Sequence, residues 1–264
     1  MGLFGPRLPI DRDELEFQLA TFKWLDTEFG SVAGRPLVLP TSDFFPAPSG
    51  GTPRITALFD NVRNAAGMAD WPCELRSGRE SRPAQVGFAL LLKHEGAEAP
   101  CGTFEVEAPD GVRKVVITYN PSLADDTDAM IATFGHELGH YLMSKAKSDP
   151  PGGWDLHELH TDLAGVWLGF GIFLANSAKN FRQFQSGGEM GWESRSQGYL
   201  SEGALVTALA IFQRLRGEDP LAPSRWLKDY LRTDLKNAAK ALARIHPDLE
   251  RAVDAVDLGE YGSG

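Results

Sequence analysis

The residues of this chain whose types and spacing carry chemistry are His136-Glu137-Leu138-Gly139-His140, two histidines four apart with a glutamate beside the first. On an α-helix four residues advance about 6 Å and turn about 40° past a full circle, so both imidazoles project from one side and can reach one ion. Neutral imidazole nitrogen binds zinc at about 2.0–2.1 Å, and a catalytic zinc site takes three protein ligands and keeps another position open for water. Glu137 stands where its carboxylate can take a proton from such a water, which the metal makes ionisable near neutral pH. The competing structural reading is a helix whose histidines merely satisfy hydrogen bonds in the core.

A third ligand has to come from elsewhere, and Trp154-Asp155-Leu156-His157-Glu158-Leu159-His160-Thr161-Asp162 offers several. On a helical wheel Leu159, Leu163, Val166 and Phe170 form the buried stripe. Glu158 and Asp162 flank it on one side, with Gly165 and Gly169 continuing that flank. His160 falls on the other flank and His157 at the back. Glycine within a helix costs roughly 1 kcal/mol relative to alanine, so Gly165 and Gly169 point to close approach by another helix on the Glu158 side. That geometry favours Glu158, with His160, Asp162 and His157 as alternatives.

His136-Glu137-Leu138-Gly139-His140 followed by Glu158-Leu159-His160-Thr161-Asp162 resembles the HExxH…ExxxD arrangement of gluzincin-type zinc metallopeptidases. The resemblance implies Zn²⁺ held by His136, His140 and Glu158, with Glu137 activating water and Asp162 orienting a ligating histidine. It also implies a zincin-like fold, in which a β-hairpin ahead of the helix offers an edge strand to an extended peptide. The matching motifs span about residues 112–170, and the remainder is similar to uncharacterised bacterial proteins. His157 and His160, on either side of Glu158, are not required by the family pattern. A metzincin is a poorer match, because HELGHYLMSKA lacks the HxxGxxH continuation.

These residues need elements to hold them. Asp125, Asp126, Thr127 and Asp128 supply an N-cap and acidic first turn for a long helix. Met130, Ile131, Phe134, Leu138, Tyr141 and Leu142 recur on one face of it, and Lys145 and Lys147 fall in its last turn. Before it, residues 87–93, 102–108 and 112–119 are β-rich runs, the last two joined by a Pro109-Asp110-Gly111 turn. Leu15, Leu19, Phe22 and Leu25 place a docking helix over 13–28, stopped by Gly30, and a second helix follows from Ile55 to Met68. Further helices are predicted at about 155–175, 200–216 and 224–246, the last stopped by His246-Pro247. The expected architecture is a single α+β domain over 1–264, with helices, loop and sheet in 1–124 and a helical portion bearing the metal site in 125–264.

Composition narrows the function classes. The 264 residues carry a net charge of −10 and 42% hydrophobic residues, which suits a globular protein and argues against a general nucleic-acid binder. The longest uncharged apolar run, Leu163–Ala175, is too short to span a bilayer, and no secretory h-region precedes Asp11, so a cytoplasmic protein is expected. Cys73 and Cys101 form no CxxC pair and read as buried thiols, with one disulfide between them left open. Lys228, Arg232, Lys236, Lys240 and Arg244 recur every four residues opposite Leu227, Leu231, Leu235, Ala238 and Leu242. That is a solvated basic face, or a surface for an anionic partner. Tyr199 and His246 are candidate oxyanion donors, although a tyrosine at a helix entrance more commonly packs with its hydroxyl in water. The leading expectation is a zinc metallopeptidase acting on a peptide or protein. The runner-up is a metal-binding regulatory or interaction protein without peptidase activity.

Overall fold

The computed structural model describes residues 7–48, 51, 53–78, 101–107, 113–185 and 199–261, with the backbone alone for 180–185. The fold class is α+β. Helix α1 (Arg12–Phe29) starts where the Asp11 side chain accepts from Glu14 N at 2.9 Å and stops at Gly30, whose φ of 92° favours a residue without Cβ. It buries Leu15, Leu19, Phe22 and Leu25 as the spacing predicts. Helix α2 is Arg54–Ala65.

Three strands follow, β1 (Cys73–Ser77), β2 (Gly102–Glu107) and β3 (Lys114–Tyr119). Their order is β1-β3-β2, with β2 antiparallel to β3 and β1 parallel to it. The predicted 102–108 and 112–119 runs are thus a real antiparallel pair. Their Pro109-Asp110-Gly111 turn and the 87–93 run lie outside the described residues. Strand β1 was not expected, because CELRS is short, mixes charge with apolar residues and gains its partners only across a long connection.

Helix α3 (Thr127–Met143) begins where Asp126 accepts from Ala129 N at 3.0 Å. It ends before Lys145 and Lys147, which therefore sit in the following turns and not in its last turn. Its burial is also wider than the single apolar face expected, since β2 and β3, α2 and the two helices that follow it pack on it.

The predicted helix at 155–175 is broken. A 3₁₀ turn (Trp154–Leu156) leads into α4 (His157–Gly165), a π-helical bulge spans Val166–Phe170, and α5 (Gly171–Gln185) resumes. Gly169 is the cause, with φ 104° and no room for a Cβ against the Pro36 carbonyl, while Val38 N donates to its carbonyl at 3.1 Å. Gly169 therefore admits a loop where helix contact was expected. Gly165 does meet a helix, its missing Cβ falling 3.5 Å from the Gly135 carbonyl of α3.

Helices α6 (Glu202–Leu215), α7 (Asp229–Ile245) and α8 (Leu249–Asp254) complete the chain. The predicted start of α7 at 224 falls inside a separate 3₁₀ turn (Ala222–Trp226). Its five predicted cations are all exposed, and Leu227, Leu231, Leu235, Ala238 and Leu242 are all buried. One buried apolar cluster runs from Leu15 to Val253. Cys101 is buried, Cys73 is half-buried, and both thiols are free. No helix among the described residues is long and apolar enough to cross a membrane.

Candidate metal centre

Helices α3 and α4 cross closely because α3 has no side chain where they meet. A Cβ on Gly139 would stand 2.8 Å from the Thr161 carbonyl, and one on Gly135 would stand 2.9 Å from the Phe170 ring. With the backbones this near, short side chains bridge the two helices. His136, His140 and Glu158 each present one ligand atom, and the three atoms lie within 4.8 Å of one another. Glu158 Oε2 is 3.2 Å from His136 Nε2 and 3.5 Å from His140 Nε2. Tetrahedral ligands at about 2.0–2.1 Å from zinc are separated by roughly 3.3 Å, which the two Glu158–histidine spacings match.

The atoms facing inward are short of hydrogen bonds. Among the described residues, Glu158 Oε2 and Glu137 Oε2 are buried without a hydrogen-bond partner. Buried carboxylate oxygens are costly to leave unmatched, and a divalent cation is the partner their chemistry suits.

Each histidine is held from behind. His136 Nδ1 lies 2.9 Å from Asp162 Oδ1, and Asp162 Oδ2 accepts from Leu200 N at 2.8 Å, tying the centre to the start of α6. His140 Nδ1 lies 3.1 Å from Thr161 Oγ1, which itself donates to the His157 carbonyl at 2.8 Å. The hydroxyl proton being committed there, Thr161 Oγ1 accepts from Nδ1–H of His140 and leaves its Nε2 lone pair facing inward.

The charges respond to this crowding. Burial opposes protonation of His136, but Asp162 and Glu158 outweigh it and raise the ring's pKa well above the ordinary value. Burial works to raise the Glu158 carboxyl too, and His136, His140 and His157 overcome it and hold the pKa well below the usual carboxylate range. His140 is lowered by burial. The cluster as a whole favours positive charge at its centre, which either a proton or a metal ion satisfies. Burial pushes Glu137 up to about 8, with His136 opposing and Glu158 adding to the rise.

Glu137 is enclosed by β2. A Cβ on Gly102 would fall 2.9 Å from Glu137 Oε1, so the strand's glycine admits the carboxylate, and Phe104 two residues on stacks 6.3 Å from the His140 ring. Tyr199 reaches the same place, its ring 5.0 Å from that of His136. Burial raises its pKa well above the ordinary value, and Glu158, Glu137 and Asp162 add to the rise, so the phenol keeps its proton.

Of the residues singled out from sequence, His136, Glu137, His140, Glu158 and Asp162 come together. His160 does not, because its Nε2 meets the Pro151 carbonyl at 2.9 Å and its Nδ1 meets Thr21 Oγ1 at 3.2 Å. His246 does not either, lying at Arg214, whose guanidinium donates to its carbonyl at 2.9 Å. Thr161 and Gly102 were missed. A threonine within a helix and a glycine opening a strand carry no signal until their neighbours across the fold are known. No family model, curated protein or solved structure matches the chain.

Proposed function

We propose that this protein is a zinc-dependent hydrolase of zincin-like fold, a metallopeptidase cleaving peptide bonds with Glu137 as the proton acceptor. The observation that carries the reading is the convergence of His136, His140 and Glu158 with Glu137 buried beside them. Zinc would be held by those three residues and, when bound, supplies Lewis acidity that makes water nucleophilic near neutral pH.

The chain's own residues do the rest. Glu137 takes the water's proton on its carboxylate and passes it to the leaving nitrogen. Asp162 and Thr161 keep the two imidazoles aimed. Tyr199, retaining its proton beside His136, offers a donor where negative charge develops on the carbonyl oxygen. Strand β2, at the sheet edge among the described residues and against Glu137, is the element on which an extended peptide would lie. Cytoplasmic activity on a peptide or protein substrate completes the reading.

The test is metal content by elemental analysis, followed by cleavage of a broad peptide library with and without chelator. One zinc per chain and chelator-sensitive cleavage are expected, and Glu137→Gln should keep the metal while losing about 10²–10⁴ in rate. Retained turnover in Glu137→Gln overturns the mechanism. Stoichiometric zinc without cleavage would favour a metal-binding regulatory protein.

A further inference from the structure

We infer that the cavity between the C-terminal ends of α1 and α2 is a binding site for a small monocarboxylate, received by the Arg35 guanidinium. None of its residues belongs to the metal centre, and the inference stands apart from the reading of that centre.

The cavity has a volume of about 440 Å³, a size that holds a small organic ligand. Phe29 at the end of α1, Pro36 on the loop after it and Ala65 at the end of α2 give it apolar walls, and Ser31, Arg35 and Asn64 give it polar groups. Among the described residues Arg35 is the one charged side chain that lines it, on a chain whose net charge is −10.

Arg35 is fixed in place but short of partners. Its guanidinium carbon lies 3.4 Å from the centroid of the fully buried Trp167 ring, which covers one face of the fork. Among the described residues it forms no ion pair, and its one hydrogen bond runs from Nη1 to the Ala66 carbonyl at a long 3.4 Å. Nε is buried with no partner. Asp26, whose charge acts on the guanidinium, makes no ion pair with it; its Oδ1 accepts instead from Trp167 Nε1 at 2.6 Å and from Val32 N at 3.1 Å. A half-buried cation without a counter-ion is costly, and burial lowers the Arg35 pKa to about 10, with Asp26 opposing. Capping of α2 through the Ala66 carbonyl engages Nη1 alone, and it accounts for neither the cavity nor the rest of the fork.

The surroundings select the class of ligand. The Nη1 and Nη2 edge offers parallel N–H donors, which match the two oxygens of a carboxylate. Both flanking helices end at the cavity, and a helix C-terminus carries roughly half a negative elementary charge. One negative charge on the ligand is therefore tolerated better than the nearly double charge of a phosphate. Phe29, Pro36 and Ala65 supply contact for an apolar body attached to the carboxylate.

The full chain is titrated calorimetrically with benzoate, with benzyl alcohol as its uncharged counterpart and with inorganic phosphate, and the benzoate titration is repeated with chelator. Saturable one-to-one binding of benzoate is expected, unchanged by chelator, with no binding of benzyl alcohol and weaker binding of phosphate. Arg35→Gln should weaken benzoate about 10–100-fold, through loss of charge-assisted hydrogen bonds. Because Arg35 packs on Trp167, circular dichroism and urea midpoints accompany each variant. Arg35→Lys keeps the charge and the stem but not the fork, so it should fold like the wild type and bind benzoate with an affinity between the other two.

Absence of saturable benzoate binding to the wild-type chain overturns the inference. So does wild-type affinity in either variant, which would place the ligand away from the Arg35 fork, and so does loss of binding in chelator, which would place it on a metal. Tighter binding of phosphate than of benzoate overturns the carboxylate assignment.

Discussion

The Thr161 hydroxyl stands 3.1 Å from His140 Nδ1 while donating to the His157 carbonyl at 2.8 Å. That one oxygen fixes both the tautomer and the tilt of a histidine carried on a different helix, at no cost in buried charge. Thr161→Val keeps the shape and removes the acceptor. Zinc affinity is expected to fall about 10–100-fold, with Thr161→Ser close to wild type, in competition titrations against a chelator. Equal affinity in the valine variant would remove Thr161 from the support of the site.

Asp162 serves His136 and the backbone of Leu200 at once. An asparagine cannot accept on both sides. If its amide nitrogen turns toward His136 the imidazole must accept on Nδ1, and the proton then sits on Nε2 where the metal should be, as in a triad histidine held in the wrong tautomer. Asp162→Asn is therefore expected to lose bound zinc in elemental analysis while circular dichroism stays helical. Full zinc occupancy in this variant would refute the tautomer argument.

The crossing of α3 and α4 rests on Gly139. Its Cβ would collide with the Thr161 carbonyl, which is backbone and cannot swing aside. Gly139→Val should destabilise the protein by about 1–3 kcal/mol in urea unfolding, from overpacking, and should weaken zinc binding in the same variant by moving Glu158 away from the histidines. A stability loss with unchanged metal affinity would mean the centre tolerates a wider crossing.

His160 gives a pH dependence that does not need the metal. Burial lowers its pKa from 6.5 to about 4, so the folded chain keeps it neutral where the unfolded chain takes up a proton. For a histidine depressed in this way, stability is unaffected above pH 6.5 and falls as pH drops from there toward about 4, then levels off. With the ring fully buried, the loss by pH 4.5 is about 2–3 kcal/mol. His160→Gln keeps a donor for the Pro151 carbonyl and does not titrate. Its urea midpoint, measured in chelator, should fall less than wild type between pH 7 and 4.5, and parallel falls would overturn the assignment.

What the sequence determined by itself is what repeats within a turn or two of one element. The i, i+4 spacing of His136 and His140, the Asp126 cap, the stop at Gly30 and the antiparallel pair β2–β3 all depend on neighbours a few residues away in sequence. Periodicity also places Glu158 and Asp162 on one flank of α4, although it left His160, Asp162 and His157 as alternatives for the third ligand. The tertiary structure brings Glu158 to the two histidines, because the closeness of α3 and α4 puts Glu158 Oε2 between the two imidazoles and carries His160 away to Thr21 and Pro151. Thr161, Tyr199 and Gly102 became part of the site for the same reason. Each contributes a contact to a residue on another element, and such contacts exist only once missing Cβ atoms at Gly135, Gly139 and Gly165 let the backbones approach. The break at Gly169 and the parallel pairing of β1 likewise follow from a loop and a strand arriving from far along the chain, which no local periodicity encodes.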